Sequence, residues 1–267
     1  MLCVEAVIVS LYLAATVTSA TVSQPLSANL GSSSWTVQNS NASIRVGATV
    51  PGGIYTDLRT AGVLSEDIFY RFNDINYRWV ARDNWTYSTF FNVDPEMLTK
   101  DKVYLEFEGL DTVARVFLNS HLLGETRDMF ILYQFDVKNL LKNSNNSLEV
   151  QFISAIWAAQ QFSTKTPYLV PPACVPAEYH GECHANYIRK MQASFAWDWG
   201  PAFPSVGIWK NVTLRAYDVA YARHVGVETR PDVTDWKVSV TLYLGVATNA
   251  TGILSATLVL DKYNITS

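Results

Sequence analysis

The feature that most constrains the fold is a series of short segments in which apolar and polar residues alternate. The alternation runs through residues 85–91, 103–107, 131–137, 148–152 and 208–219. A period of two residues is typical of a β-strand that buries one face. Because turn residues separate these segments about every 10–15 residues, the pattern predicts an all-β sandwich of the jelly-roll type.

Composition restricts the class of protein. The chain has 267 residues, of which 49% are hydrophobic and 16% are charged. This balance favours a packed core and argues against disorder. The net charge is −4 and the sequence contains no run of Lys or Arg. We therefore expect no nucleic acid partner, because such proteins carry a basic surface for the phosphate backbone.

The spacing of turns changes after Tyr217, which predicts a second domain. Further strands are expected at residues 225–229, 236–244 and 254–260. Three strands are fewer than half of a seven-stranded immunoglobulin-like sandwich. The sequence therefore predicts a jelly-roll domain over residues 21–218. It predicts an incomplete immunoglobulin-like β-sandwich over residues 219–267.

The amino terminus has the features of a secretory signal peptide over residues 1–20. An apolar run at 6–17 precedes Thr18 and Ala20, two small residues at the spacing that signal peptidase recognises. Glu5 stands where a basic residue is usual, and a buried or membrane helix is the alternative. The run is short for a bilayer-spanning helix. We expect no membrane span once the signal is removed.

The cysteines agree with a secreted chain. Of the three, Cys3 lies in the expected signal, whereas Cys174 and Cys183 lie in a proline-rich loop. In an oxidising compartment this pair should form a disulfide. Zinc binding with His180 and His184 is the alternative, but the spacing fits no familiar zinc motif. We therefore expect no metal and no cofactor.

Glycosylation signals are frequent along the chain. An N-x-Ser/Thr sequence without an intervening proline marks an acceptor for N-linked glycan. The sequence contains six of them, at Asn41, Asn84, Asn145, Asn211, Asn249 and Asn264. Together with the signal and the cysteine pair, they predict a glycoprotein of the secretory or lysosomal route.

The candidate binding site is the stretch FAWDWGPAFP at residues 195–204. Trp197 and Trp199 flank Asp198. Indole faces stack on apolar C–H surfaces and a carboxylate accepts hydrogen bonds from hydroxyls, and a sugar presents both surfaces. Gly200 and the following prolines end any strand, so the stretch predicts a rigid loop at a small-molecule site. The alternative is a structural corner with buried tryptophans and Asp198 capping a turn.

Several stretches resemble one enzyme family. GLDTVARVFLNSHLLGE, RFNDINYRWV and GIWKNV resemble the amino-terminal, galactose-binding-like domain of glycoside hydrolase family two, and the resemblance covers most of residues 30–218. The cysteine loop and RKMQASFAWDWGPAFPSVGIWK are most similar to animal lysosomal members that act on β-mannosides. The resemblance implies that Trp197, Asp198 and Trp199 line the subsite for the terminal mannose of an oligosaccharide.

The same resemblance assigns catalysis to another part of the enzyme. In this family two glutamates of a (β/α)8 barrel perform a retaining hydrolysis. This sequence ends within the expected second domain, so the resemblance implies no catalytic residue here. It also implies that the chain alone is inactive and that the barrel of the same polypeptide is its partner. A stand-alone carbohydrate-binding module or an inactive truncated product is the alternative.

Overall fold

The computed structural model describes residues 10–15, 21–26, 34–172, 174–231, 236–249, 254–260 and 263–266. Most of the expected signal peptide, with Cys3, Thr18 and Ala20, lies outside these residues. Within it, the structure describes one strand at Ser10–Ala15. Among the described helices, none is both long and apolar enough to cross a bilayer.

The described residues are mainly β-strand. The strands are β1 (Ser10–Ala15), β2 (Val22–Pro25), β3 (Trp35–Asn39), β4 (Arg45–Ala48), β5 (Trp85–Phe91), β6 (Lys102–Phe107), β7 (Ala114–Leu118), β8 (His121–Thr126), β9 (Tyr133–Asp136), β10 (Asn146–Phe152), β11 (Phe195–Trp197), β12 (Gly200–Ala202), β13 (Val212–Tyr217), β14 (Ala220–Pro231), β15 (Trp236–Val246), β16 (Leu254–Leu260) and β17 (Tyr263–Thr266). The α-helices are α1 (Ile54–Thr60), α2 (Asn73–Asn76), α3 (Arg78–Arg82), α4 (Pro95–Thr99) and α5 (Ala155–Lys165).

The chain divides into two compact units. The larger unit consists of Ser23–Thr99 and Val103–Arg215, and the smaller of Met1–Val22, Lys100–Lys102 and Ala216–Ser267. The division after Arg215 lies three residues before the domain boundary expected after residue 218.

The larger unit contains a six-stranded sheet with the order β4-β3-β5-β10-β7-β8. Its central strand β10 pairs antiparallel with both neighbours, so that Val150 lies opposite Tyr87 and Val116. These three residues are fully buried. Alternate residues of β5 and β10 face the core, as the period of two predicts, because successive side chains of a strand point to opposite faces.

A four-stranded sheet with the order β2-β13-β6-β9 forms the second layer. It buries Leu105 and Phe107 of β6 together with Leu214 of β13. Two antiparallel layers that each bury one face are the basis of a β-sandwich. The all-β fold class predicted from the sequence is confirmed.

The smaller unit contains two further sheets. The long hairpin β14–β15 pairs Ala220–Pro231 with Trp236–Val246, and β16 lies between β1 and β17. The three strands expected after Tyr217 are present as β14, β15 and β16. Their assignment to an immunoglobulin-like sandwich stays a prediction.

Helix α5 packs against the residues that lead into the candidate site. Ser154 caps its amino terminus, since the Ser154 hydroxyl accepts a hydrogen bond from Trp157 N at 3.3 Å, as expected of an N-cap residue. Its small buried residues Ala155, Ala158 and Ala159 form a hydrophobic cluster with Phe195 and Ile188. Small side chains allow the helix to approach the segment that leads into the tryptophan stretch.

Candidate functional site

The tryptophan stretch forms a two-stranded β-hairpin. Phe195 pairs with Ala202 and Trp197 with Gly200, so Asp198 and Trp199 occupy the turn. The prediction that Gly200 and the prolines would end any strand was wrong. Pro201 lies between the paired positions of a short ribbon, where the amide proton that proline lacks is not needed for pairing.

The base of the hairpin is anchored in the larger unit. Phe195 and Ala196 are buried. The carbonyl of Phe195 accepts a hydrogen bond from Glu182 N at 2.9 Å, and that of Ser194 accepts one from Phe203 N at 2.9 Å. Because its base is buried and hydrogen-bonded, the hairpin presents its turn in one orientation.

Three aromatic rings lie in a row along the hairpin. The ring centroids of Trp197 and Trp199 are 6.1 Å apart with 30° between their planes. Tyr179 stacks on Trp197 at 5.9 Å and 27°. Trp199 is 61% exposed, and its Nε1 donates to Ala193 O at 3.2 Å. An exposed indole that is fixed in place offers a ring face to a ligand.

Asp198 lies at the tip of the turn and is exposed. In the described part of the chain its carboxylate makes no hydrogen bond or ion pair. A structural corner would instead bury both tryptophans and use the carboxylate to cap a backbone amide. The exposed Trp199 and the unengaged Asp198 therefore favour a binding role over a structural one.

Cys174 and Cys183 form a disulfide. The bond closes residues 174–183 into a loop, named the disulfide loop below, which carries Tyr179 to Trp197. Because both sulfur atoms are bonded to each other, they cannot act as zinc thiolates with His180 and His184. The described residues contain no group of three or more potential metal ligands.

A buried ion pair holds the disulfide loop against helix α3. Glu182 is only 8% exposed, and its Oε1 lies 3.1 Å from Arg78 Nη1 and 3.5 Å from Arg82 Nη2. Arg78 also donates to the carbonyls of His180 and Gly181. A buried carboxylate is stable here because two guanidinium groups donate hydrogen bonds to it and balance its charge.

A cavity of about 210 Å³ lies beside the two tryptophans. Its lining residues are Pro172, Cys174, Val175, Glu182, His184, Ala185, Asn186, Gln192, Ala196, Trp197 and Trp199. Asp198 is not among them, so the two indoles face the cavity while the carboxylate lies outside it. The buried Nδ1 of His184 has no hydrogen-bond partner among the described residues.

A second buried charge lies near the hairpin. Lys190 is buried and its Nζ donates to the Asp111 carboxylate. Burial lowers the pKa of Lys190, and the adjacent Asp111 opposes that shift. Because the lysine is enclosed and paired, its role is to hold the segment before the hairpin to the loop that follows β6.

Five of the six sequon asparagines have described side chains, and these five lie at the surface. Asn41, Asn84, Asn145, Asn211 and Asn249 are exposed, whereas the side chain of Asn264 lies outside the described residues. Asn211 Nδ2 donates to Glu108 at 3.1 Å. Glycosylation of these residues stays a prediction.

Tyr179, Glu182 and His184 were not predicted from the sequence as parts of this candidate site. His184 was considered only as a zinc ligand, and no role was given to Tyr179 or Glu182. The predicted disulfide carried a usable signal, because it confines the residues between and beside the two cysteines. No sequence pattern indicated the contact between Glu182 and Arg78, because 104 residues separate the two side chains.

Comparison with known proteins supports the relationship that the sequence suggested. Residues 35–210 match the family model described as "Glycosyl hydrolase 2 galactose-binding domain-like". The chain is 49% identical over 193 residues to a β-mannosidase of Rattus norvegicus, covering 72% of this chain and 22% of that protein. A probable β-mannosidase of Caenorhabditis elegans is 36% identical over 209 residues, covering 77% and 23%.

Comparison with a solved structure supports the same relationship. The crystal structure of a β-D-mannosidase from Dictyoglomus thermophilum is similar with a TM-score of 0.73 and 31% identity, covering 84% of this chain and 26% of that one. The chain thus spans about a fifth to a quarter of the proteins it matches. It belongs to the galactose-binding domain-like family of glycosyl hydrolase 2, and it is homologous to the amino-terminal portion of β-mannosidases.

Proposed function

We propose that this chain is the amino-terminal sugar-binding part of a β-mannosidase. Such an enzyme is a retaining exo-glycosidase that releases terminal β-D-mannose from the oligosaccharides of glycoproteins. The observation that carries the proposal is the anchored hairpin, whose turn presents an exposed Trp199 beside an unengaged Asp198.

The hairpin supplies the two contacts that a pyranose needs. An indole face binds the apolar C–H face of the sugar ring. A carboxylate accepts hydrogen bonds from the ring hydroxyls, and these hydrogen bonds are stronger than those to a neutral acceptor. Contacts to hydroxyls away from the scissile bond position the sugar for attack. The two catalytic glutamates would come from a barrel of the same polypeptide.

The compartment belongs to the same proposal. A disulfide persists in oxidising compartments, and the five sequon asparagines whose side chains are described are exposed. Both features support a glycoprotein that reaches the lysosome by the secretory pathway. The proposed ligand is an oligosaccharide with a terminal β-mannoside.

Sugar binding by the 267-residue chain is the direct test. We expect it to bind methyl β-D-mannoside more tightly than the C2 epimer, methyl β-D-glucoside, in ligand-observed NMR titrations. Trp199→Ala should weaken binding about tenfold, or about 1.4 kcal/mol, because it removes the exposed ring face. Trp236→Ala is the matched control, since Trp236 is 70% exposed and lies in β15.

Two results would overturn the proposal. One is equal affinity of the Trp199→Ala variant and the unsubstituted chain. The other is hydrolysis of an aryl β-mannoside that a Glu→Gln change within these residues abolishes. Reading the transcript past the Ser267 codon separates the enzyme from a stand-alone binding module, because only the enzyme continues into a barrel with paired glutamates.

A further inference from the structure

We propose that the buried ion pair between Lys190 and Asp111 positions the candidate sugar site, because it fixes the turn to which the exposed indole of Trp199 is hydrogen-bonded. This role rests on the sugar-binding function proposed above. It requires no contact between the ion pair and the ligand, since the effect of the pair on binding passes through the ring of Trp199.

Asp111 contacts the chain on both sides of the hairpin β11–β12. Before the hairpin, its carboxylate accepts a hydrogen bond from Lys190 Nζ. After the hairpin, its backbone N–H donates to Gly207 O at 2.9 Å, and its carbonyl accepts from Gly207 N at 3.0 Å. Residues 190–207, named the hairpin segment below, are therefore closed at their base by one residue from another part of the chain.

Met129 makes a second closure of the same kind. Its backbone N–H donates to Arg189 O at 3.0 Å, and its carbonyl accepts from Trp209 Nε1 at 2.8 Å. The chain is therefore held at neighbouring residues on each side of the hairpin. Because Lys190 contributes a side chain, a substitution there can remove one of these contacts and leave the backbone hydrogen bonds in place.

A short turn connects the buried lysine to the hairpin. This turn is the 3-10 helix Gln192–Ser194. The carbonyl of Ala193 accepts a hydrogen bond from Trp199 Nε1 at 3.2 Å, and that of Ser194 accepts one from Phe203 N at 2.9 Å. The same three residues thus hold both the exposed indole and the residue that follows β12, so a shift of the turn moves the indole with it.

Burial makes the ion pair sensitive to substitution. Lys190 is 4% exposed and Asp111 is 7% exposed, and the Thr112 hydroxyl also donates to the carboxylate. When one partner of a buried pair is removed, the other charge stays buried without compensation, which is strongly unfavourable. Without the lysine, we expect the loop that carries Asp111 to separate from the hairpin segment so that water reaches the carboxylate. An exposed pair would have little effect, because water already screens it.

The test is Lys190→Met, with the indole of Trp199 as the reporter. Methionine keeps an unbranched side chain and removes the charge. In ¹H–¹⁵N spectra of the sugar-free chain, we expect the Trp199 indole resonance, assigned by its absence from Trp199→Ala, to shift. Its N–H should exchange with solvent about threefold faster or more, because the bond to Ala193 is loosened. The buried indoles of Trp35 and Trp85, which donate to other carbonyls, should keep their resonances.

Arg215→Met is the matched control. Arg215 Nε lies 2.8 Å from Glu106 Oε2, and Glu106 is buried, so this substitution breaks another ion pair of the larger unit. We expect it to lower Tm, as Lys190→Met does, and to leave the Trp199 indole resonance in place. An equal shift of that resonance in both variants would assign the effect to general destabilisation and overturn the positioning role.

Affinity for methyl β-D-mannoside supplies the second readout, at a temperature where every variant is folded. We expect Lys190→Met to weaken binding about threefold, which is less than the loss in Trp199→Ala because the ring is displaced rather than removed. Adding Lys190→Met to Trp199→Ala should cause no further loss, since two residues that act through one contact are not additive. Arg215→Met should bind as the unsubstituted chain does.

The outcomes keep the two proposals apart. An unmoved Trp199 indole resonance in Lys190→Met overturns the positioning role, and additive losses in the double variant contradict action through Trp199. If Lys190→Met does not fold, Asp111→Asn removes the other charge and is expected to shift the same resonance. Absence of mannoside binding by the unsubstituted chain overturns the sugar-binding function. The indole measurement is made without sugar, so it still decides whether the ion pair positions Trp199.

Discussion

Asp198 is the residue at which a binding role and a structural role predict different measurements. Asp198→Asn keeps the size of the side chain and removes its charge. A charge-assisted hydrogen bond then becomes a neutral one, and the two differ by about 1–2 kcal/mol. In a β-mannosidase that carries these residues, kcat/KM should fall about tenfold or more. Asp198→Ala should cost more, because the sugar hydroxyls then lack an acceptor.

The melting temperature of the same variants supplies the control. Asp198 is exposed and makes no hydrogen bond in the described part of the chain. Exposed substitutions of this kind usually change the free energy of unfolding by less than about 0.5 kcal/mol, so Tm should hardly move. A clear drop in Tm with unchanged kcat/KM per folded molecule would remove Asp198 from the site.

Residue chemistry alone pointed to the part of the candidate site that is contiguous in sequence. Trp197, Asp198 and Trp199 were identifiable because their side chains suit a sugar. Tyr179 was not, because its place beside Trp197 depends on the disulfide and on the contact between Glu182 and Phe195. Contacts of this kind form only in the folded chain, because the predicted disulfide confines Tyr179 to a loop but does not place it beside Trp197.

At the scale of elements, the disulfide loop positions Tyr179 beside Trp197 in the candidate site. Replacing both Cys174 and Cys183 with serine removes the cross-link, which stabilises a loop of this length by about 2–3 kcal/mol in the chain-entropy model. We expect a lower Tm and weaker mannoside binding, because Tyr179 is no longer confined beside Trp197. Thermal melts and titrations of the double variant check both effects.

Reductant provides the comparison for this experiment. Treating the unsubstituted chain with a thiol should reproduce the lower Tm and the weaker binding, and the double variant should not respond. If reduction lowers Tm but leaves mannoside affinity unchanged, the loop stabilises the fold without shaping the site.

Strands could be predicted from the sequence where apolar and polar residues alternate. Strands β5 and β10 follow from alternation, since one face of each is buried and the other is not. The hairpin β11–β12 was not predicted, because Gly200 and Pro201 are strand breakers in isolation. Its pairing depends on the buried Phe195 and on the bond from Glu182 to the carbonyl of that residue.

At the scale of the whole chain, the β-sandwich could be predicted from the sequence. The hydrogen bonds and ion pairs between its buried polar side chains could not. Alternation placed Glu106 on the face of β6 opposite the core, yet it is 5% exposed. Its carboxylate accepts from Gln134 at 2.6 Å and from Arg215 at 2.8 Å, on the neighbouring strands β9 and β13. The partner on β13 lies 109 residues away, so only the assembled sheet shows why a charge can be buried there.

One buried carboxyl makes the stability of the larger unit depend on pH. Asp57 of α1 is buried, and it accepts hydrogen bonds from Thr49 N at 2.9 Å and from the Tyr87 hydroxyl at 2.8 Å. Burial raises the pKa of Asp57, although both hydrogen bonds oppose the shift. The folded chain therefore keeps this proton at a higher pH than the unfolded chain, whose aspartates titrate at about 3.9.

The sign of the effect follows from proton binding. Between the unfolded and the folded pKa of Asp57, the folded state binds more protons, so the free energy of unfolding falls as pH rises. The stabilisation that Asp57 contributes is complete below about pH 4 and is lost as the pH rises through the pKa of Asp57 in the folded chain.

Asp57→Asn cannot titrate and keeps polar atoms for both hydrogen-bond partners. We expect the Tm of the unsubstituted chain, measured relative to that of Asp57→Asn, to decline as the pH rises above about 4. The same substitution at the exposed Asp198 is the control, and its Tm difference should stay nearly constant over that range. A constant difference for Asp57→Asn as well would show that the buried carboxyl does not set the pH dependence.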